Sequence, residues 1–417
     1  MSILIKSAKI IDADSSYNGK VLDIYIVNGI IKEIGKNLKV SAKDIIEKEN
    51  LHISAGWFDS SVCFGEPGFE ERENLENGIK SAAISGFTDL ILNPETNPIL
   101  DSKADINYIK SKTSNSIISV HPLGALSKQS NSKELADLKE MFDTGCVGFY
   151  DFKKPIKNAN LLKTALQYVQ HFDGLIFSFP LEESISENSL VHEGVVSTTY
   201  GLNGFSSVSE EIVVARDLKV LEYTGGKLFI PTISTIGSAK LIKQAKLKEL
   251  NVMCSVSINN LFFNENKLKD FDTRFKVIPP IRDEKTRKEL KKFVIDGTID
   301  LVTCDHCPID IDNKKTDFEN SFFGSTGLES SFGALNTIFG LNQTIKIMTS
   351  GYDIFNLNKP SFSIGSEAKL TLFNPDLDYT FSKSDIFSQS KNSSFIDMKL
   401  KGKSYGIISN FKKLIVE

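Results

Sequence analysis

The chain has 417 residues, of which 41% are hydrophobic and 24% charged, with a formal net charge of −4 at pH 7; this composition is typical of a globular cytoplasmic protein with one large and one smaller domain. The weak negative charge gives no reason to expect a nucleic acid or an anionic membrane as a partner. No apolar run approaches the ~20 residues of a membrane span, and the five cysteines are too scattered to indicate a disulfide framework.

The two ends of the chain share one pattern. Residues 1–54 alternate apolar and polar side chains, as in ILIKSAKII and VLDIYIVNGIIKEIG, and residues 359–417 do so in KLTLFNPD and FIDMKLKGKSYGIIS. This alternation with intervening turn residues predicts antiparallel strands. Neither end is long enough for a core of its own, so we expect the two to pair into one small composite β-sandwich domain.

Between these ends, a short apolar run followed by a helical pattern recurs eight times. Helical segments such as SEEIVVARDLKVLEYTGG and EKTRKELKKFVIDGT space their apolar residues by three and four and end at Gly. Buried runs of this kind suit parallel strands, and residues 55–358 are therefore predicted to form a (β/α)8 barrel of the TIM type, which makes the fold class α/β. The eight runs are ISAGWFDSSV, GFTDLILNP, SIISVHPLGAL, GCVGFYD, GLIFSFPL, KLFIPTIS, NVMCSVSI and IDLVTCDHCP.

Functional side chains of such barrels project from the carboxyl ends of the strands. Ser61 and Cys63 are two residues apart on the first predicted strand, so they point to the same face. Together the strand ends carry the following candidates: Ser61, Cys63, Asn93, Glu95, Asp151, Ser178, Thr232, Asn259, Asn260, Asp305 and His306.

Several long stretches resemble class I dihydroorotases of the amidohydrolase superfamily. They begin with AGWFDSSVCFGEPGFEERENLENGIKSAAISGFTDLILNPETNP and continue through EGVVSTTYGLNGFSSVSEEIVVARDLKVLEYTGG, FKVIPPIRDEKTRKELKKFVIDGTIDLVTCDHCP, FFGSTGLES and GSEAKLTLFNPD. The motifs occur in the family's order over essentially the whole chain. The resemblance implies the metal-dependent amidohydrolase barrel with a composite β domain, in agreement with the pattern of strands and helices.

The departures from the family concentrate on the metal ligands. The family's two first-strand histidines align with Ser61 and Cys63, and its fifth- and sixth-strand histidines align with Ser178 and Thr232. Asp151 fits the metal-bridging aspartate of the fourth strand. Asp305 fits the eighth-strand aspartate that binds metal and acts as general acid and base, so it is the vestigial catalytic position here.

Positions that hold the substrate in the family have changed as well. By alignment, Gly65 replaces an arginine before Glu-Pro-Gly, Glu95 and Ile278 each replace an asparagine, and Ile309 replaces a histidine. Dihydroorotate carries a carboxylate. Losing an arginine and gaining a glutamate therefore reverses the local electrostatics against it.

Catalytic zinc takes about three protein ligands, usually His with Asp or Glu, and activates a bound water. Serine and threonine hydroxyls are poor ligands for this ion, so we expect no metal cofactor. The alternative is a residual zinc site formed by Cys63, Asp151 and Asp305, because the first and eighth strands of a closed barrel are neighbours. The CDHC stretch, Cys304–Cys307, resembles half of a structural zinc site, but the sequence has no second cysteine pair to complete one. We therefore expect these cysteines to pack in the core.

The surviving framework and the lost ligands together favour a non-catalytic protein over an enzyme. Degenerate dihydroorotases are known to associate with aspartate transcarbamoylase, so the resemblance implies a structural or regulatory partner of that enzyme in pyrimidine biosynthesis, with a homodimer as a further expectation. Two alternatives remain: a hydrolase of a cyclic amide that uses a non-standard metal site, and a protein that binds a small molecule in the emptied pocket.

Overall fold

The computed structural model describes residues 2–416. Short strands precede the first helix: β1 (Ser2–Ile10), β2 (Val21–Val27), β3 (Ile30–Gly35), β4 (Asp44–Ile46) and β5 (His52–Ala55). The middle strands are β6 (Trp57–Val62), β7 (Phe87–Leu92), β8 (Ser119–Pro122), β9 (Leu175–Phe177), β10 (Val191–His192), β11 (Gly204–Phe205), β12 (Lys227–Ile230), β13 (Val252–Ser257) and β14 (Leu301–Thr303). The last strands are β15 (Leu370–Thr380), β16 (Lys399–Ser409) and β17 (Lys412–Ile415).

The α-helices lie between the middle strands and after β14. They are α1 (Leu75–Ile84), α2 (Lys103–Thr113), α3 (Leu138–Thr144), α4 (Ala159–Val169), α5 (Val195–Tyr200), α6 (Ser207–Thr224), α7 (Ile236–Leu247), α8 (Ile258–Phe262), α9 (Glu284–Ile295), α10 (Ile311–Lys314), α11 (Leu328–Phe339) and α12 (Leu341–Met348). In the described part of the chain, none of them has both the length and the apolar character needed to cross a bilayer.

Seven of the middle strands form two parallel sheets, β6-β7-β8 and β9-β12-β13-β14, and β10 and β11 pair separately with each other. A parallel bridge from Val62 to His306 joins the first strand to the last, and two bridges from Phe149 reach Gly124 and Ile176 on the other side. Asp59 strengthens the β6–β14 seam by accepting hydrogen bonds from Thr303 Oγ1 (2.6 Å) and the amide of Cys304 (2.7 Å). The barrel predicted from the eight apolar runs is thereby confirmed.

Two of the predicted strands differ in detail from the expectation. ISAGWFDSSV is not one strand: it is divided at Gly56, where a Cβ would lie 2.1 Å from Thr88 Oγ1, so that β5 leaves for another sheet and β6 enters the barrel. GCVGFYD is not a regular strand, because within it only Phe149 forms β-bridges, one to Gly124 and one to Ile176. The chain nevertheless occupies the fourth place in the barrel wall.

Strands from the two ends of the chain form one sheet in the order β17-β16-β15-β5-β1-β2-β3, with β4 paired to β1. Its central contact is the antiparallel pair of β5 and β15, with Leu372 opposite Ile53. Isoleucines and leucines from both ends share its apolar core. The expected pairing of the termini is thus present, whereas the boundaries at residues 54/55 and 358/359 stay a prediction.

An aromatic cluster fixes the barrel to this sheet. The Trp57 ring on β6 lies 4.6 Å from the Phe332 ring of α11 and 5.4 Å from the Phe373 ring of β15, measured between centroids. Trp57 and Phe373 have no measurable exposure. The start of β6 is therefore anchored in the core, and its carboxyl end, with Ser61 and Cys63, points to the open mouth of the barrel.

Candidate functional site

The end of the first strand meets the end of the eighth at the barrel mouth. Ser61 Oγ donates to Asp305 Oδ1 at 3.4 Å, and the amide of Cys63 donates to His306 O at 2.8 Å. Asn93 Nδ2, from the second strand end, donates to Ser61 Oγ at 3.0 Å. The expected neighbourhood of these strand ends is therefore present, and Asp305 lies in its centre, 5% exposed.

A buried ion pair occupies this centre. Lys153 Nζ lies 2.9 Å from Asp305 Oδ2, and the two side chains are 12% and 4% exposed. Burial alone would lower the pKa of Lys153, but attraction to Asp305 and to neighbouring groups outweighs burial and raises it above its ordinary value. Burial raises the pKa of Asp305, and Lys153 opposes that rise. The lysine thus keeps its proton and supplies the positive charge that this carboxylate needs.

Asp151 does not take part in this site, although the sequence predicts it as a retained metal ligand. Its carboxylate accepts hydrogen bonds from the amides of Leu126 (3.0 Å) and Ser127 (2.9 Å) and from the Ser127 hydroxyl. These donors turn it toward the loop after β8. The next residue, Phe152, packs instead with the apolar side chains of the barrel interior.

The predicted trio of Cys63, Asp151 and Asp305 is consequently not brought together. Within residues 2–416, no set that contains these two aspartates places three potential ligand atoms within 4.8 Å of one another. The alternative zinc site of Cys63, Asp151 and Asp305 is therefore wrong, because Asp151 accepts its hydrogen bonds from the loop after β8 and Asp305 pairs with Lys153.

The hydroxyls that replace the fifth- and sixth-strand histidines are also unsuited to a metal. Ser178 Oγ donates to Asp217 Oδ2 on α6 at 2.5 Å, so it is already committed. Thr232 Oγ1 is buried and has no hydrogen-bond partner among the described residues. A divalent cation at the family's position would also meet the Lys153 ammonium, and like charges at a few Å repel strongly in a buried site. The residues present do not fit the metal that the resemblance implies.

Above the ion pair lies a cavity of about 870 Å³. Ile278 and Ile309, at positions that hold substrate in the family, contribute apolar surface to its lining, and Glu95 also faces it. Gly65 cannot carry a side chain here, since a Cβ would lie 2.0 Å from Phe69 O. The cavity is therefore open but differs in chemistry from one built for a carboxylate-bearing substrate.

Arg72 partly offsets the negative charge that Glu95 brings. Its Nη1 lies 3.8 Å from Glu95 Oε1, and its guanidinium stacks 4.2 Å above the centre of the Phe69 ring. The predicted reversal of charge is thus softened by a residue seven positions after Gly65. Sequence alignment alone did not single out Arg72.

Two more residues at the mouth were missed. Lys153 stands in a loop, where neither periodicity nor a motif indicates its direction. The sequence predicts a packing role for both cysteines of CDHC. Cys307 instead faces the cavity, whereas Cys304 packs in the layer between barrel and helices. The two-residue spacing between Asp305 and Cys307 was the available signal, because side chains two apart on an extended segment share a face.

His306, the neighbour of Asp305, is hydrogen-bonded to the residue that precedes α11. The amide of Gly327 donates to its Nδ1 at 3.2 Å, so the neutral ring acts as an acceptor. Burial lowers the pKa of His306 to about 3. The neutral ring thus holds the residue before α11 by a hydrogen bond and takes no part in the site as an acid or base.

Comparison with known proteins places this site in a family context. The family model "Dihydro-orotase-like" matches residues 52–238. A protein named dihydroorotase from Acetivibrio thermocellus is 33% identical over 423 aligned positions, covering 100% of this chain and 99% of that protein. A second, from Pelotomaculum thermopropionicum, is 31% identical, covering 98% of this chain and 97% of that protein.

Solved structures of lower sequence identity share the fold. An L-hydantoinase (dihydropyrimidinase) from Arthrobacter aurescens superimposes with a TM-score of 0.84 at 19% identity, over 100% of this chain and 97% of that one. A D-hydantoinase (dihydropyrimidinase) from Thermus sp. gives 0.81 at 20% identity, over 99% and 95%. At this identity the likeness establishes the amidohydrolase barrel with its sheet domain and nothing about the substrate.

The ion pair generates a first prediction. Lys153→Met should lower the free energy of unfolding by about 3–5 kcal/mol at pH 7, because it leaves a buried carboxylate without a partner. The double variant Lys153→Met/Asp305→Asn should regain most of this loss, since it removes both charges. Urea unfolding followed by circular dichroism measures the double-mutant cycle.

Lys359→Met provides the matched control. Lys359 pairs with Asp14 on the surface, where the side chains are 46% and 74% exposed, and an exposed pair contributes little. Additive effects of the Lys153 and Asp305 substitutions would show that the two groups are not coupled.

His306 generates a prediction of pH dependence. An unfolded histidine has a pKa of about 6.5, so below that pH the unfolded chain binds a proton that folded His306 does not bind. The free energy of unfolding should therefore fall as the pH falls from 6.5 toward 3. His306→Gln should reduce this acid loss in urea titrations at several pH values. His171→Gln, at an exposed site, should leave it unchanged, and equal slopes for both variants would contradict the assignment.

Proposed function

This chain belongs to the dihydroorotase-like family, and we propose that within it the chain is a non-catalytic member, acting in pyrimidine biosynthesis through its surface rather than through hydrolysis of a cyclic amide. The observation that carries the proposal is the contact of Lys153 Nζ with Asp305 at 2.9 Å. A fixed ammonium stands beside the one carboxylate at the mouth that the family uses for both metal binding and proton transfer.

The chemistry that is lost follows from this pair. A catalytic metal lowers the pKa of bound water from about 15.7 to about 7 and so supplies hydroxide at neutral pH. Without it, Asp305 would have to remove a proton from ordinary water. Lys153 and Ser61 both donate to this carboxylate, and these contacts oppose the rise in its pKa that burial causes. Nothing in the set then activates a nucleophile for attack on an amide.

As the role that remains, we propose association with aspartate transcarbamoylase, the partner that the resemblance implies. Three aromatic side chains near the mouth offer a contact surface, which we call the mouth rim: Tyr200, Phe271 and Phe322, with exposures of 38%, 42% and 45%. Tyr200 packs against Phe271, with ring centroids 5.4 Å apart. Phe271 in turn contacts Phe318, in the segment that carries Phe322. Exposed aromatic side chains are enriched in protein interfaces.

A hydrolase with altered chemistry is the second candidate, and the open cavity favours it. About 870 Å³ is enough for a small cyclic amide. This candidate requires a nucleophile that does not depend on Asp305, and it predicts turnover of some cyclic amide by the purified chain.

Turnover separates the two candidates. The purified chain should neither hydrolyse dihydroorotate nor form it from carbamoyl aspartate, with or without added Zn²⁺. The Acetivibrio thermocellus dihydroorotase, assayed by absorbance under the same conditions, is the positive control. Turnover that a chelator abolishes would overturn the non-catalytic proposal, and chelator-resistant turnover would favour the altered hydrolase.

Assembly tests the partnership. Size-exclusion chromatography of this chain mixed with aspartate transcarbamoylase of the same organism should show a new, larger species, whereas simply additive profiles would contradict the proposal. The double variant Tyr200→Asp/Phe322→Asp should weaken that species. Leu247→Asp is the matched control, since Leu247 is 79% exposed at the carboxyl end of α7, the end of the barrel opposite to the mouth. Equal loss in both variants would remove the mouth rim as the contact surface.

A further inference from the structure

Three side chains that the proposed function leaves unused meet at the barrel mouth. They are Cys63 after β6, Glu95 after β7 and Cys307 after β14, and one potential ligand atom from each lies within 4.8 Å of the other two. Cys307 Sγ donates to Glu95 Oε2 at 3.8 Å. Both cysteines are free and only 4% exposed. The neighbouring positions of the first and eighth strands bring the two thiols together.

We propose that Cys63, Glu95 and Cys307 form a binding site for one thiophilic divalent cation, such as Zn²⁺ or Cd²⁺. Thiolates are soft ligands that select such ions over Mg²⁺ or Ca²⁺. The site shares only Cys63 with the positions of the family's metal ligands, and its other two residues are ones that the family does not use for metal. It is therefore a different site and not a remnant of the ancestral one.

The geometry requires a small adjustment. With Zn–S near 2.3 Å and Zn–O near 2.0–2.2 Å, a tetrahedral ion holds its ligand atoms roughly 3.5–3.8 Å apart. Ligand atoms within 4.8 Å of one another need to close by about 1 Å, which side-chain rotation of Glu95 and the thiols can supply. Glu95 and Cys307 line the cavity, so the fourth position opens toward it and is free for water or a small ligand.

The charge balance also favours the site. Binding releases the two thiol protons to solvent, and two thiolates with one carboxylate then leave a net charge of −1 around a divalent ion. Lys153 acts electrostatically on both thiols, and Arg72 lies 3.8 Å from Glu95 Oε1, so two cations flank this residual charge. Asn93 Nδ2 donates to Cys63 Sγ at 3.5 Å, and such outer partners orient metal ligands. Lys153 thus favours the thiolate forms that a metal ion needs as ligands.

Cadmium titration of the full chain tests the proposal. The reduced protein, stripped of metal by a chelator, is titrated with CdCl2 while the ultraviolet thiolate-to-cadmium charge-transfer band is recorded. One equivalent should saturate the band, and elemental analysis after gel filtration should find one Cd²⁺ per chain. Cys63→Ser and Cys307→Ser should each lose this stoichiometric binding. Cys304→Ser is the matched control from the same CDHC stretch, and it should bind as the unaltered chain does.

Glu95→Gln keeps the proposal falsifiable if the buried cysteine variants do not fold. Glu95 is only partly buried, and its loss should weaken Cd²⁺ binding by at least roughly tenfold, the loss that removing even an indirect partner of a ligand causes. It should also reduce the rise in melting temperature that Cd²⁺ produces. Absence of the band in the unaltered chain, an unchanged band in Cys307→Ser, or unchanged affinity in Glu95→Gln would overturn the site. Failure of this site would leave the non-catalytic proposal in place, because that proposal rests on the contact of Lys153 with Asp305.

Discussion

A buried carboxylate must have a positive partner, and this requirement decides the chemistry of the barrel mouth. Asp305 sits at the end of the eighth strand with little access to water. Moving an unpaired carboxylate into such a place costs several kcal/mol. In a metal-dependent relative the ion would meet this need, and here the Lys153 ammonium does so at 2.9 Å. The Lys153 ammonium thus neutralises the charge of Asp305, and its own positive charge disfavours a metal cation at the same carboxylate.

The barrel persists around this change because most of its apolar core lies away from the mouth. The bulk of the core lies between strands and helices and in the sheet of the termini, at a distance from the ion pair. Trp57, Phe332 and Phe373 hold the barrel to that sheet, and Asp59 fastens the first strand to the last. Burial of apolar surface is non-directional and tolerates altered residues elsewhere. A catalytic site, in contrast, fails when one ligand type is replaced.

The non-catalytic function and the cation site that we propose both depend on the residues of the barrel mouth. Loss of the histidine positions and the presence of Lys153 argue against hydrolysis, and they leave the surface as the means of action. Cys63 is one of these substitutions, since its thiol stands where a histidine stands in the family, and Cys307 lies close to it. A barrel mouth without the family's metal-binding histidines can therefore still present a different set of ligands to a divalent cation.

Sequence patterns determined the architecture of this protein. Short apolar runs and helical periodicity reflect burial, which is a local property of each segment, so the barrel and the paired termini could be predicted. The resemblance to dihydroorotases, and not these patterns, implied that Ser61, Ser178 and Thr232 stand in place of metal-binding histidines. Only the tertiary structure decided the directions of the side chains at the mouth. Asp151 turns to the loop after β8, Lys153 reaches Asp305, and Cys307 meets Cys63. Each of these contacts joins segments that are far apart in the chain. Loop backbone directions and long-range hydrogen bonds have no periodic signal, and they fix which charges meet.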